Sequence, residues 1–248
     1  MVPVSSFEDA LLRLESISLL KRLKKYYKYR DLEKYFSLDV PLLNKYVRGK
    51  LLPGKRRANK IIEKILEMID LKNEIKNSIS HGIYDYPELA NLSASSPDLL
   101  FYIAVQAYQL YKKADITKVL SVEGGGLIIA SLISTFLCKG LVYALRDHYA
   151  RDAIVEPYSA SLDIAHVKYT KFIALPRKSL NSKDKVLIVD DIIWSGALMR
   201  ALLNIVKKLG SKIVGVFCIG VSSEEIAKSL EEDYKVKIDY LVEINSNY

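Results

Sequence analysis

Residues 186–203 read VLIVDDIIWSGALMRALL. Val186 to Val189 form a continuous apolar run, the pattern of a strand buried on both faces. Two adjacent acids, Asp190 and Asp191, leave its end, and a turn with Ser195 and Gly196 opens a helix. Backbone N–H groups and the dipole at such a helix start attract an anion. Two carboxylates beside that anion accept hydrogen bonds from neighbouring hydroxyls. A phosphate next to a vicinal diol describes a ribose 5-phosphate group.

The flanking sequence gives this stretch a sheet to sit in. Upstream, a helix (98–112) leads to a β-like run (117–122), then Glu123-Gly124-Gly125-Gly126, a charge-free helix (127–138) and a strand (141–145). Downstream, a helix (197–209), a strand (213–221), a helix (223–232) and a last strand (238–244) follow. Alternating strands and helices with unbroken apolar strands predict an α/β fold built on a parallel sheet. In such sheets ligands gather at the carboxyl ends of strands, where both the glycine run and the acid pair lie.

Four apolar residues, two acids, two apolar residues and a Ser-Gly loop resemble the phosphoribosyl pyrophosphate (PRPP) signature of the type I phosphoribosyltransferases, over about residues 75–248. The resemblance implies that fold, with a hood over residues 149–172. It implies that Asp190 and Asp191 bind the ribose hydroxyls. After Ile192 and Ile193, the residues Trp194, Ser195, Gly196, Ala197 and Leu198 would wrap the 5′-phosphate. Ser121 to Gly126, with Glu123, Gly124, Gly125 and Gly126, looks like the family's pyrophosphate loop, which often holds a non-proline cis peptide. Arg146 would face the pyrophosphate, and Mg²⁺ would accompany PRPP.

Some positions depart from the enzymes of that family. Trp194 stands where hypoxanthine–guanine transferases carry an Asp, and it is no general base. Orotate transferases commonly have Thr there. Leu198 replaces a Thr or Ser phosphate donor. In the hood, Arg151, Lys168 and Lys171 match no catalytic Lys. These departures suit binding better than turnover, which needs stabilisation specific to the transition state. The plain alternative is an α/β domain with a fortuitous acid pair.

The N-terminal part differs in charge. Residues 1–70 hold 16 Lys and Arg against 9 Asp and Glu, and residues 21–60 hold 14 against 3, whereas 71–248 are nearly balanced at 21 against 20. A basic module joined to a neutral one follows. A merely soluble Lys-rich face and a membrane surface are the other readings. The module reads as short helices at 7–27, 31–36, 41–48 and 55–69, with Asp39 and Pro41 starting the third. The stretch LEKYFSLDVPLLNKYVRGKLLP (32–53) resembles the helix-turn-helix of phage-repressor-like regulators, with Leu38 in place of a small turn residue. By that resemblance Asn44, Lys45 and Arg48 would reach base edges, and Lys50, Lys55, Arg56 and Arg57 would face phosphates. A helical dimerisation or capping domain is the alternative.

A helix-turn-helix domain (1–72) before a transferase-like domain (73–248) resembles the bacterial purine repressor and the archaeal transferase-like regulators. The resemblance implies a homodimeric, DNA-binding transcriptional regulator whose effector is PRPP or a nucleotide. The second reading is an active phosphoribosyltransferase acting on a purine or pyrimidine base. Residues 220–248, which would meet the base, carry no signature for it. Residues 71–96 read as partly linker, with loops at Ser80-His81-Gly82 and Ser93 to Pro97, the rest packing on the sheet domain.

Composition narrows the remaining classes. A chain of 248 residues, half of them apolar and 27% charged, buries a sizeable core as one large or two modest domains. The longest charge-free apolar stretch, 124–138, would span roughly 22 Å as a helix, short of a ~30 Å bilayer core. The N-terminus shows no secretory pattern, so a cytoplasmic protein is expected. Cys138 and Cys218 lie in apolar runs and read as buried thiols, and His81, His148 and His166 show no metal-ligand spacing. Scarce Gln with abundant Lys, Ile and Glu hints at a thermophile.

Overall fold

A computed structural model describes residues 4–80, 96–146, 151–162 and 167–244. Five helices come first: α1 (Val4–Tyr26), α2 (Tyr29–Phe36), α3 (Val40–Val47), α4 (Lys55–Met68) and α5 (Leu71–Ser80). Then follow α6 (Pro97–Tyr111), β1 (Lys118–Val122), α7 (Gly125–Leu137), β2 (Gly140–Arg146), β3 (Ala153–Leu162) and β4 (Val167–Pro176). The chain continues through β5 (Lys185–Ile193), α8 (Ala197–Lys208), β6 (Lys212–Val221), α9 (Glu224–Tyr234) and β7 (Ile238–Glu243).

The seven strands form one sheet in the order β3-β4-β2-β1-β5-β6-β7. The run from β2 to β7 is parallel, as its apolar strands predict, and Val186 to Val189 are fully buried. The hood stretch forms an antiparallel hairpin, β3 with β4, joined to β2 through Leu145 and Ala174. Its first strand alternates Ile154, Glu156 and Tyr158 inward with Val155, Pro157 and Ser159 outward, the pattern of a strand wet on one face. The strand order reverses between β1 and β5, so the loops after these two strands open side by side.

Helix α1 is apolar on more than one face because it lies between two layers. It packs on α3 and α4 on one side and on α6 on the other. Leu19, Leu20 and Leu23 are completely buried there. Polar ties reinforce the seam. Buried Arg22 pairs with Glu74 of α5 and with Asp98 of α6, 3.1 Å away, and Lys25 lies 3.2 Å from Asp98. The segment read as partly linker is helical over α5, the part that packs on the sheet domain as expected. Leu71, Ile75 and Ile79 form its buried stripe, Asp70 caps it by accepting from the Asn73 N–H at 3.1 Å, and it packs on β7. The loops expected around His81 and at Ser93 to Ser95 lie outside the described residues, as do His148 and His166.

The cysteines differ from the expectation. Cys218 is buried in β6, but Cys138 is exposed, because it ends α7 in a left-handed turn (φ 53°). Both thiols are free. Among the described residues no helix is long and apolar enough to cross a membrane.

Glu15 of α1 is 5% exposed and accepts a 3.1 Å hydrogen bond from the Gln106 amide of α6. Burial raises its pKa from 4.5 to about 7. A raised carboxyl holds its proton more tightly in the folded chain. Its contribution to stability is therefore complete below about pH 4.5 and is lost as pH rises toward about 7. Glu15→Gln should remove this slope, worth up to about 3 kcal/mol across the window. Denaturant unfolding of both proteins at pH 5 and pH 8 checks it; an identical pH slope in the two contradicts it.

Candidate functional site

The acid pair does not follow the central strand but lies within it: β5 continues past Asp190 and Asp191 to Ile193, because Asp190, Ile192 and Ile193 still pair with β6. Asp190 is only 3% exposed, and Asp191 is half-buried. Asp190 Oδ1 accepts from the Asp191 N–H at 3.0 Å. Burial, then the neighbouring Asp191 carboxylate, holds the Asp190 pKa well above the usual carboxylate range. The first turn of α7 covers Asp190: a Cβ placed on Gly126 would stand 2.3 Å from Asp190 Oδ1 and 2.9 Å from its Cα. Only glycine permits that approach. Asp191 is the carboxylate more open to a ligand.

Beyond Ile193 the chain turns into α8. Gly196, at φ 75°, is the helix N-cap, and a side chain there would meet Ile226 and Leu230 of α9 at 3.3 and 3.4 Å. Ser195 is exposed and its hydroxyl accepts weakly from the Ala197 N–H at 3.4 Å. The first-turn N–H groups of α8 lack intrahelical partners and carry the positive end of the helix dipole, with no acid in that turn. Trp194 is half-buried and packs against the apolar core. Its carbonyl accepts a 2.5 Å hydrogen bond from the Ser222 hydroxyl, while the Ser222 N–H donates to the Ile193 carbonyl at 2.9 Å. Ser222, at the end of β6, thus pins the loop from below. Sequence reading passed over it; its signal is a Ser directly after a buried apolar strand.

The glycine loop lies on the adjacent strand. Its peptides are trans, as are all those described, so the expected cis bond is absent there. The turn is made instead by Gly124 at φ 131°, a conformation closed to residues with side chains. Gly125 begins α7. Arg146 braces the loop: its Nε donates to the Glu123 carbonyl at 2.7 Å and its backbone N–H to the Glu123 carboxylate at 3.1 Å. One guanidinium nitrogen bonds the Tyr158 hydroxyl of β3 at 3.0 Å, tying the hairpin to the loop. Tyr158 was not singled out in the sequence, although its place in the inward register of β3 marks it.

The reversal of strand order thus brings 123–126, Arg146 and 190–198 together. Arg151 is exposed, Lys171 lies over the Tyr169 ring 5.3 Å away, and the Lys168 side chain is outside the described residues. Among the described residues no group of three or more His, Cys, Asp and Glu is arranged to hold a metal ion.

Of the N-terminal candidates, Asn44 and Lys45 lie on α3, Arg48 and Lys50 in the turn after it, and Lys55, Arg56 and Arg57 in the first turn of α4. Helices α2 and α3 are joined by Ser37 to Asp39; Ser37 adopts the left-handed turn conformation (φ 54°), and the Asp39 carboxylate accepts from the Leu42 N–H at 3.0 Å. Leu38 packs against the core, which accounts for an apolar residue in that turn. Lys45, Arg48, Lys50, Lys55, Arg56 and Arg57 are exposed, and Arg57 bonds the Tyr46 hydroxyl at 2.9 Å. Asn44 is half-buried, with its amide oxygen buried and unpartnered among the described residues.

Comparison with known proteins agrees with the geometry of the sheet domain. The phosphoribosyl transferase domain family matches residues 95–246. Xanthine phosphoribosyltransferase of Brevibacillus brevis is 33% identical over 150 residues, covering 60% of this chain and 76% of that protein. The corresponding protein of Ligilactobacillus salivarius is 27% identical, covering 60% and 78%. Among solved structures, adenine phosphoribosyl transferase of Trypanosoma brucei superposes with a TM-score of 0.59 at 20% identity, over 71% of this chain and 80% of that one. The Leishmania donovani adenine enzyme gives 0.59 at 17%, over 73% and 87%. At these identities the structural likeness speaks for the fold alone.

Proposed function

Because the chain belongs to the phosphoribosyl transferase domain family, we propose that its site takes PRPP and transfers the ribose 5-phosphate to a purine base. One observation carries the reading: an acid pair, an open helix N-terminus and a glycine loop converge where the strand order reverses. Asp191, with Asp190 behind it, takes the ribose hydroxyls. Residues 195–198 take the 5′-phosphate through backbone N–H groups. The 123–126 loop takes the pyrophosphate, shaped by Arg146. Mg²⁺ arrives with PRPP, since hard cations prefer phosphate oxygens.

In the transfer, the bond from the ribose C1 to pyrophosphate breaks and a bond from C1 to a base nitrogen forms. Pyrophosphate departs, and the base loses a proton. Trp194 supplies no base for that proton, so the chain's contribution is to hold the phosphate, the ribose and the leaving group in line. The names of the bacterial relatives make xanthine the first base to try. The test incubates PRPP and Mg²⁺ with xanthine, guanine, hypoxanthine or adenine, and follows nucleotide and pyrophosphate by mass spectrometry. Stoichiometric formation of both from one of these purines is expected; none from any base refutes transfer.

A second reading, a DNA-binding regulator with PRPP or a nucleotide as effector, rests on the exposed cations of α3 and α4. On that reading a homodimer presents two α3 helices to half-sites about 34 Å apart. Affinity for duplex DNA should fall steeply with salt, and Arg48→Ala should cost about 1–3 kcal/mol and relax sequence preference. Saturating PRPP should then change DNA affinity about 5- to 150-fold. A DNA titration at fixed salt and free Mg²⁺ decides it; no salt-sensitive binding removes the reading.

A further inference from the structure

The α2–α3 turn and the start of α4 enclose a concavity of about 760 Å³ that the site above does not use. Its lining holds five cations, Lys55, Arg56, Arg57, Lys60 and Lys64, and no carboxylate. Half-buried Leu38, beside the edges of buried Phe36 and Ile61, gives it a small apolar floor. Three of the cations already have partners, Lys55 lying 4.0 Å from the Asp9 carboxylate of α1. Lys64 donates to the Tyr35 carbonyl at 2.6 Å and lies over the Tyr35 ring, and Arg57 bonds Tyr46. Among the described residues Arg56 and Lys60 have no ion-pair partner.

Like charges gathered in one concavity repel one another, and low-dielectric walls focus their field. That arrangement is relieved by a ligand carrying several negative charges. The volume lies within the range of small-ligand pockets, roughly 300–1,000 Å³. The floor adds a further condition, because only a ligand with a flat apolar part desolvates it. A duplex presents a convex surface of phosphate and sugar and keeps its flat base faces stacked away from a recess. From these observations we infer that the concavity is a second ligand site, separate from the phosphoribosyl site, for a nucleoside polyphosphate. The phosphates meet Arg56, Arg57 and Lys60, and the base covers Phe36 and Leu38.

The test is calorimetric titration of the full chain with ATP as the probe, beside inorganic tripolyphosphate and a duplex DNA. ATP should occupy a site that persists in Asp190→Asn/Asp191→Asn and is weakened at least tenfold in Lys60→Glu. Lys60 is exposed, so the variant should melt with the wild type. Tripolyphosphate should bind that site at least fivefold more weakly than ATP, since it cannot use the floor. ATP binding wholly lost in the Asp variant, or unchanged in Lys60→Glu, overturns the proposal. So does tripolyphosphate matching ATP, or a Lys60→Glu effect confined to DNA. Because the Asp variant reports on the phosphoribosyl site alone, failure of that site is read separately.

Discussion

Asp190→Asn/Asp191→Asn should lower PRPP-dependent nucleotide formation by about two to three orders of magnitude, the scale seen when one preorganised hydrogen-bonding group that stabilises a transition state is lost. The same change should make the protein more stable. Asp190 is buried, and its pKa is raised first by that burial and then by the Asp191 charge beside it. A carboxyl raised in this way opposes the fold increasingly as pH rises from its ordinary value toward the raised folded value. Near neutral pH the Asn pair removes this opposition. A higher melting temperature than that of the wild type is expected. Melting curves of the two proteins at pH 7 check it. A variant that loses activity and also melts well below the wild type would mean that the acids hold the fold together.

Gly126→Ala should have the second largest effect. Its added methyl would stand 2.9 Å from the Asp190 Cα and 3.1 Å from the Asp191 nitrogen, as well as against the Asp190 carboxylate. Backbone cannot rotate away, so α7 or the end of β5 must shift. Overpacking of this kind costs about 1–3 kcal/mol. The larger consequence is functional, because the displaced elements carry the glycine loop and the acid pair. A fall of at least tenfold in PRPP affinity, measured by calorimetry below the variant's melting temperature, is expected. Unchanged affinity would show that the first turn of α7 does not set the geometry of the acids.

The parts of this molecule that could be read from sequence are those whose cause is local. Val186 to Val189 are apolar because both faces of β5 are covered, and the acids stand out because they interrupt that apolar run near the strand's carboxyl end. The parallel sheet and its helices follow from the same pattern. Contacts between distant segments were not legible. Nothing near Arg146 announces that it braces Glu123, and nothing near Trp194 announces Ser222. Gly126 could be placed in a phosphate loop, yet its packing on Asp190 is a tertiary fact. Helix α5 was missed for another reason: its apolar stripe is only Leu71, Ile75 and Ile79, too sparse to stand out beside polar neighbours. Cys138 looked buried because its run is apolar, but a helix end turns outward.

The tie between the two parts of the chain is also tertiary. Arg22, Glu74 and Asp98 are far apart in sequence and meet where α1, α5 and α6 converge. This seam gives the N-terminal helices a fixed seat on the sheet domain. On the regulator reading it is the physical link through which one part would bias the other.

We propose that Asp190 and Asp191, at the reversal of strand order, form a phosphoribosyl site. It is tested most directly by calorimetric titration of PRPP at fixed free Mg²⁺ into the wild type and Asp190→Asn/Asp191→Asn. The account expects one PRPP per chain at this site in the wild type and at least hundredfold weaker binding there in the variant; equal affinity in the two proteins would contradict it.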